Sequence, residues 1–298
     1  LMLALLVFGG MLIGSINQKF LPESDRAQIL VYVDLPAGVT ERTTQARLQE
    51  MMAVIGDEER YPDVLSYAAY VGFGGPRFVL SLAPVDPAPN KGFIVINMTD
   101  IDTTIANVPR LRNDFRTSIP DVNARVSRMF LGQSDPNVIE IQLKGPDADY
   151  LFEKSVELEQ MLLSVPGTID VWSDWYNRID RLDVKVDQQS ARLAGVTSND
   201  IARVLAQFAS GNPISQFRDG DEVIPIVLRG TGSERTSIDR LRTASVFSTI
   251  SGEAIPLSQV ATVERSSGFA YIQREDLIRT VTVQGRNPGL TPQDMVPN

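Results

Sequence analysis

Residues 70–78, with the sequence Tyr-Val-Gly-Phe-Gly-Gly-Pro-Arg-Phe, are the stretch from which the fold can be assigned. Three glycines within four residues permit backbone angles that other residues resist, so the stretch is predicted to be a loop. Gly72 and Gly74 resemble part of a phosphate-cradling fingerprint, but such a fingerprint runs directly into a helix. Here Pro76 and a second apolar run follow instead. The pattern therefore favours a hairpin loop, either a simple connection or one with a binding role.

Strand and helix patterns alternate on both sides of this loop. In order they are a strand at 28–33, a helix that begins after Thr40, a strand at 64–71, a strand at 93–98, a helix that begins near Val108 with Pro109 in its first turn, and a strand at 123–129. Residues 28–130 thus follow a β-α-β-β-α-β order. That order is typical of the ferredoxin-like, split-βαβ plan.

A second copy of the plan begins at Val138 and is interrupted. A strand at 138–143, a helix capped by Asp147 and a strand at 169–172 come first. A different α+β segment follows, with a hairpin turn at residues 218–221. Strands at 271–274 and 277–284 then resume the plan, and the sequence ends before its last helix and strand, as expected of a fragment. The predicted fold class is α+β.

Composition excludes several functions. The net charge of −9 argues against a nucleic-acid-binding surface, which would be basic. The sequence contains no cysteine and no histidine, which excludes thiolate chemistry, histidine-based catalysis and the usual zinc sites. We expect no enzymatic activity, no catalytic residues, no metal site and no cofactor.

Residues 1–19 begin with an almost wholly apolar run. As a helix, the first 16 residues reach roughly 24 Å, short of the roughly 30 Å of a bilayer core. We interpret residues 1–19 as the C-terminal part of a transmembrane helix. A buried core helix is the alternative.

Five short phrases, in order, resemble one family of transporters. They are Phe20-Leu21-Pro22-Glu23 with Leu35-Pro36-Ala37-Gly38, then Val165-Pro166-Gly167, Leu193-Ala194-Gly195-Val196, Gly220-Asp221-x-Val223-Ile224-Pro225 and Ile255-Pro256-Leu257-Ser258. Together they resemble the second periplasmic loop of resistance–nodulation–division multidrug efflux pumps of the acriflavine-resistance type, in the C-terminal half. The resemblance extends over essentially the whole chain.

The resemblance implies a domain organisation and a set of partners. Residues 27–136 correspond to a first porter subdomain, 137–177 with 267–298 to an incomplete second one, and 178–266 to an inserted docking subdomain. The family exports drugs and other hydrophobic or amphiphilic small molecules in exchange for protons. It acts as a homotrimer in the inner membrane of Gram-negative bacteria, anchored by flanking helices, with a periplasmic adaptor and an outer-membrane channel. The proton-relay residues lie outside this stretch.

The resemblance also implies substrate-binding residues. The glycine loop falls where the family has a switch loop between two substrate pockets, with the pattern Gly-Phe-Gly-Phe. This chain has Gly75 in place of the second phenylalanine and a proline-rich stretch after it, so we expect a more mobile loop with Phe73 as its main apolar contact. The implied substrate-binding residues are Gly72, Phe73, Gly74, Gly75, Pro76, Arg77 and Phe78 in the loop, and Arg125, Ser127 and Met129 on one face of a strand.

Each of these residues has a structural alternative. Phe73 could anchor the loop in the core, and Met129 is expected to pack rather than to touch ligand. Arg77 and Arg125 are expected on a solvated face. Trp172 and Trp175 could line a cleft between the porter subdomains, although simple packing is the favoured interpretation.

Two other functions remain as hypotheses. The heavy-metal branch of the same superfamily uses methionine clusters for soft ions, and one methionine is expected in the first strand, where this chain has Val33. A soluble periplasmic binding module or carboxylate enzyme is less favoured. Asp219 and Asp221 would serve such an enzyme, but they fall in a predicted surface turn.

Overall fold

The computed structural model describes residues 24–77, 86–129, 138–229, 238–290 and 295. The predicted membrane segment at 1–19 and Phe78 lie outside these ranges. Within them, none of the helices combines the length and the apolar character that a bilayer crossing requires. The chain divides into two compact units, Leu1–Ile179 with Phe269–Asn298, and Asp180–Gly268. The assignment of porter and docking roles to such units stays a prediction.

The first part of unit one forms a four-stranded antiparallel sheet with two helices. Its elements are β1 (Gln28–Asp34), α1 (Glu41–Ile55), β2 (Val64–Val71), β3 (Lys91–Met98), α2 (Ile101–Ser118) and β4 (Asn123–Arg128). The strand order is β2-β3-β1-β4, so the first strand lies between the third and the fourth. This order, with both helices as crossovers, is that of the split-βαβ plan.

Local sequence explains where the two helices begin. The Thr40 side chain accepts a hydrogen bond from the backbone N–H of Thr43 and caps α1. Asp100 and Thr103 form a capping box at the start of α2. The prediction that this helix begins near Val108 is therefore wrong, and Pro109 lies inside the helix. The capping box was the sequence signal that outweighed the proline.

The two faces of this sheet differ. The face covered by α1 and α2 buries the main core, in which Ile29, Val31 and Val33 of β1 pack against helix residues such as Leu48 and Phe115. The opposite face buries a small cluster of Leu30, Phe93 and Met129, with Tyr32, Tyr70 and Val95 packed around it. Because strand side chains alternate between faces, this second face displays aromatic residues away from the helices.

The second part of unit one is a smaller antiparallel sheet with one helix. Its elements are β5 (Val138–Gly145), α3 (Ala148–Ser164), β6 (Ile169–Ser173), β13 (Arg274–Glu275) and β14 (Ile278–Arg286). Strand β14 pairs with β5, β6 and β13. Trp175 is fully buried behind this sheet, where its indole Nε1 donates a hydrogen bond to the carbonyl oxygen of Thr280 at 2.8 Å. The expected packing role of Trp175 is confirmed.

Unit two has its own core. Its elements are β7 (Arg178–Val186, which begins in unit one), α4 (Gln188–Leu193), α5 (Ser198–Ala209), β8 (Asn212–Asp219), β9 (Glu222–Leu228), α6 (Ile238–Arg242), β10 (Ser245–Phe247), β11 (Ala254–Pro256), α7 (Leu257–Val260) and β12 (Ala261–Phe269). Ile201, Val246 and Leu257 lie in the core of this unit. Strands β8 and β9 form the predicted hairpin, and Asp219 and Asp221 are exposed at its turn. Every residue of both strands is exposed.

The main core supports a stability prediction. Phe115 is 1% exposed, and Phe115→Ala removes most of a ring from a packed interior, so the free energy of unfolding should fall by about 3–5 kcal/mol. Urea denaturation followed by circular dichroism measures the change. Leu65→Ala, at a residue that is 68% exposed, is the control and should change the free energy of unfolding by less than about 0.5 kcal/mol. Equal effects at the two positions would contradict the assigned core.

Candidate functional site

The helix-free face of the first sheet carries a row of aromatic rings that starts at the glycine loop. The Phe73 ring meets Tyr70 edge-on, with 5.5 Å between centroids. Tyr70 lies 6.4 Å from Phe93, and Phe93 lies 5.0 Å from Tyr32. The loop and the end of β1 are thus joined by contacting rings, of which Phe93 is fully buried and the other three are at least partly exposed.

Backbone geometry explains two of the loop glycines. Gly72 and Gly75 have φ values of +77° and +73°, which non-glycine residues rarely adopt. A Cβ atom on Gly75 would lie 3.0 Å from the rings of both Phe93 and Tyr70. An aromatic residue therefore does not fit at position 75 in this conformation. Phe73 is 41% exposed, so it is not locked in the core.

Asp34, at the end of β1, joins the first sheet to the second part of the unit. Its Oδ2 accepts a hydrogen bond from Nη2 of Arg125 at 2.7 Å, and its Oδ1 accepts one from the hydroxyl of Tyr176 at 2.6 Å. Asp34 is only 7% exposed. Burial, followed by the charge of Asp34, raises the pKa of Tyr176. The three side chains form one polar cluster, which we call the Asp34 clamp.

A cavity of about 120 Å³ lies where the helix-free face of the first sheet meets β6 and β14. We call it the Arg125 cavity. The Arg125 guanidinium lies 4.4 Å from the ring centroid of Trp172 and 5.6 Å from that of Tyr32. The rest of the polar lining comes from Ser127, Asp170, Gln284 and Arg286. Burial raises the pKa of Tyr32. The cavity thus combines a guanidinium group with the aromatic rings that it stacks on.

Trp172 also lines a larger groove of about 510 Å³, which we call the Glu159 groove. Residues Phe152, Val156 and Glu159 of α3 form one wall, and Tyr176 of the Asp34 clamp contributes to another. Burial raises the pKa of Glu159. The groove is therefore a partly apolar recess that contains a carboxylate.

The predicted site residues fall into two groups. Arg125 and Ser127 line the Arg125 cavity, whereas Met129 is buried with Leu30 and Phe93, as expected for packing. None of the described loop residues, 72–77, lines either cavity. Of these, Gly74 is buried, Pro76 and Arg77 are exposed, and Phe78 lies outside the described residues. A role in binding stays a prediction for each residue.

Two structural expectations are wrong. Arg125 does not lie on a solvated face, since its side chain is 25% exposed, is paired with Asp34 and stacks on Trp172. Trp172 is not simply packed, since it lines both cavities. Sequence patterns also gave no indication that Tyr176 and Glu159 belong to the site, because the residues that surround them there come from distant parts of the chain. The polar Asp34 at the end of an apolar strand was the one available signal.

Val33, which was used as an argument against metal transport, does not face either cavity. Val33 is 1% exposed and packs in the helix-covered core, while Leu30 and Tyr32 of the same strand face the aromatic side. A methionine at position 33 would therefore point away from both cavities. The argument from Val33 against a metal-transporting role loses its basis.

Comparison with known proteins identifies a matching family and several relatives. The model of the AcrB/AcrD/AcrF family matches residues 1–292. The cobalt-zinc-cadmium resistance protein CzcA of Cupriavidus metallidurans is 27% identical over 186 residues, which cover 59% of this chain and 17% of CzcA. The nickel and cobalt resistance protein CnrA of the same organism is 22% identical over 293 residues, or 92% of this chain and 26% of CnrA.

A solved structure shares the fold. The crystal structure of a heavy metal efflux pump, in its second crystal form, superposes with a TM-score of 0.78 at 19% sequence identity. The match covers 98% of this chain and 30% of that pump. The chain thus spans less than a third of the length of these relatives. The mixed α and β fold with antiparallel sheets is confirmed.

The Asp34 clamp supports a second stability prediction. Asp34→Asn removes the charge that faces the largely buried Arg125, so the free energy of unfolding should fall by about 1–3 kcal/mol. Urea denaturation of the chain measures the loss. The control is Asp121→Asn, which breaks an exposed pair with Arg47 and should cost less than about 1 kcal/mol. A clamp variant that is no less stable than this control would show that the cluster is not stabilising.

Proposed function

The chain belongs to the AcrB/AcrD/AcrF family of resistance–nodulation–division efflux transporters, and we propose that it forms the periplasmic porter and docking portion of one such pump. In this proposal residues 27–136 and 137–177 with 267–298 are porter subdomains, and 178–266 is the docking subdomain. The pump resides in the inner membrane, exchanges protons for substrate, and works with an adaptor and an outer-membrane channel. The chain binds substrate and carries out no covalent chemistry.

The proposed substrates are hydrophobic or amphiphilic organic molecules. One observation carries this proposal: Arg125, Tyr32 and Trp172 form a stacked cation–aromatic wall in a cavity between the two halves of unit one. Aromatic faces provide large contact area with tolerant geometry, which suits varied organic ligands. A separate aromatic surface lies at the glycine loop, where Phe73 is half exposed and packs edge-on against Tyr70.

Metal-ion export is the second candidate. It is favoured by the names of the relatives, which are resistance proteins for cobalt, zinc, cadmium and nickel. The described residues contain no group of three or more acidic, histidine or cysteine side chains that would hold a metal ion. In the Arg125 cavity two arginines, Arg125 and Arg286, outnumber the one carboxylate, Asp170, which is unfavourable for a metal cation. We therefore place organic amphiphiles first.

Resistance assays separate the two candidates. In a complete transporter expressed in cells deprived of their own pumps, Trp172→Ala and Phe73→Ala should each reduce resistance to bulky organic amphiphiles by roughly fivefold, because an aromatic contact is worth about 1 kcal/mol. Tolerance of cobalt, zinc and cadmium should not change. Tyr150→Ala, an exposed aromatic residue on α3, is the control. Loss of metal tolerance alone would establish the second candidate.

The β8–β9 hairpin supports the proposed homotrimer. Phe217, Ile224 and Ile226 are 57%, 42% and 45% exposed, and both strands are exposed along their length. A long exposed hairpin with apolar side chains is a surface that another chain can cover. We assign it to contacts between copies of the pump.

Oligomeric state tests this assignment. Phe217→Asp combined with Ile226→Asp places charges in the contact and should shift the purified transporter from trimer towards monomer in analytical ultracentrifugation. Leu193→Asp, at a residue that is 84% exposed in the same unit, is the control and should leave the trimer intact. If both variants sediment as the parent does, the hairpin is not the contact.

A further inference from the structure

The Glu159 groove holds a carboxylate that the fold leaves unpaired. Three acidic side chains line the groove. Asp34 is held by the two hydrogen bonds of the clamp, and Asp121 accepts a hydrogen bond from Arg47. Glu159 has no hydrogen bond or ion pair within the described part of the chain. It is thus the one acidic group in this lining whose charge is not already matched by a partner.

Helix geometry places Glu159 among apolar neighbours. Phe152, Val156 and Glu159 follow one another at spacings of four and three residues, so they share one face of α3. That face lies beside the groove, and all three side chains are half-buried. Burial raises the pKa of Glu159, because the ionised form loses hydration there. A bound cation would offset that loss.

The remaining walls suit a particular kind of cation. The rings of Phe152, Trp172 and Tyr176 border the groove, and aromatic faces attract organic cations. Within the described residues, no lysine or arginine lines it. Arg178 stacks on Phe152 and is itself paired with Asp149. A bare metal ion would require several oxygen ligands, whereas a large organic ion needs one counter-charge and apolar walls.

We propose that the Glu159 groove binds an organic monocation with an aromatic or apolar body, held by the Glu159 carboxylate and the rings of Phe152 and Trp172. A volume of about 510 Å³ is within the range of small-molecule sites. The Arg125 cavity, whose wall has two arginines and one carboxylate, differs in charge from this groove although Trp172 lines both. Any role of the groove in export rests on the proposed function, whereas the binding itself does not.

The test uses two probes of nearly the same shape and opposite charge, tetraphenylphosphonium and tetraphenylborate. Isothermal titration calorimetry with the full chain should show that the cation binds at least about tenfold more tightly than the anion. Glu159→Gln should weaken cation binding by about tenfold and leave anion binding unchanged or tighter. The variant should stay folded, because it removes a charge that burial disfavours; circular dichroism verifies this, and Glu159→Met provides a second neutral side chain.

Glu157→Gln is the matched control, since Glu157 lies on the same helix, is exposed and pairs with Lys154 at 2.7 Å. Its cation affinity should equal that of the parent chain. The proposal is overturned if the parent chain does not bind the cation, if both probes bind equally, or if the two glutamine variants lose affinity equally. Resistance assays on the pump can fail while this binding persists, so the two proposals fail separately.

Discussion

The buried carboxylate of Asp34 is the contact that ties the candidate site together. It ends the central strand β1, which is hydrogen-bonded to a neighbour on each side. Its two oxygens accept hydrogen bonds from Arg125 on the adjacent strand and from Tyr176, which follows β6. Because a charged group at this depth is stable only when it is paired, the positions of both partners are constrained by it. The Arg125 cavity and the Glu159 groove both border this cluster, so their shapes depend on it.

The regular parts of the fold were predictable from the sequence, and the site was predictable only in part. Apolar periodicity identified the β-α-β-β-α-β order because each element buries one face. It misplaced the start of α2, where the Asp100 capping box outweighed Pro109. The family resemblance pointed to Arg125 and Ser127, which line the Arg125 cavity, and their role in binding stays a prediction. The partner of Arg125 lies 91 residues away in sequence, and no local pattern reports such a pairing.

Which class of substrate the chain can bind depends on which side chains face the two cavities. Val33 was one argument against metal transport in the sequence, but it packs into the core, since alternation sends it to the helix-covered face. Tyr32, its neighbour, faces the cavity instead. Relatives with metal-resistance names therefore do not by themselves determine what this site holds. The cation–aromatic wall and the carboxylate groove meet at Trp172, so chemically different ligands have adjacent surfaces available.

The two tryptophans of this chain occupy opposite environments. Trp175 is fully buried with its indole N–H bonded to a carbonyl, whereas Trp172 lines both cavities. Intrinsic fluorescence therefore has a constant contribution from one residue and a solvent-sensitive contribution from the other. The intrinsic fluorescence of Trp172 can therefore be used to follow ligand occupancy or closure of the two cavities in real time, without an attached dye.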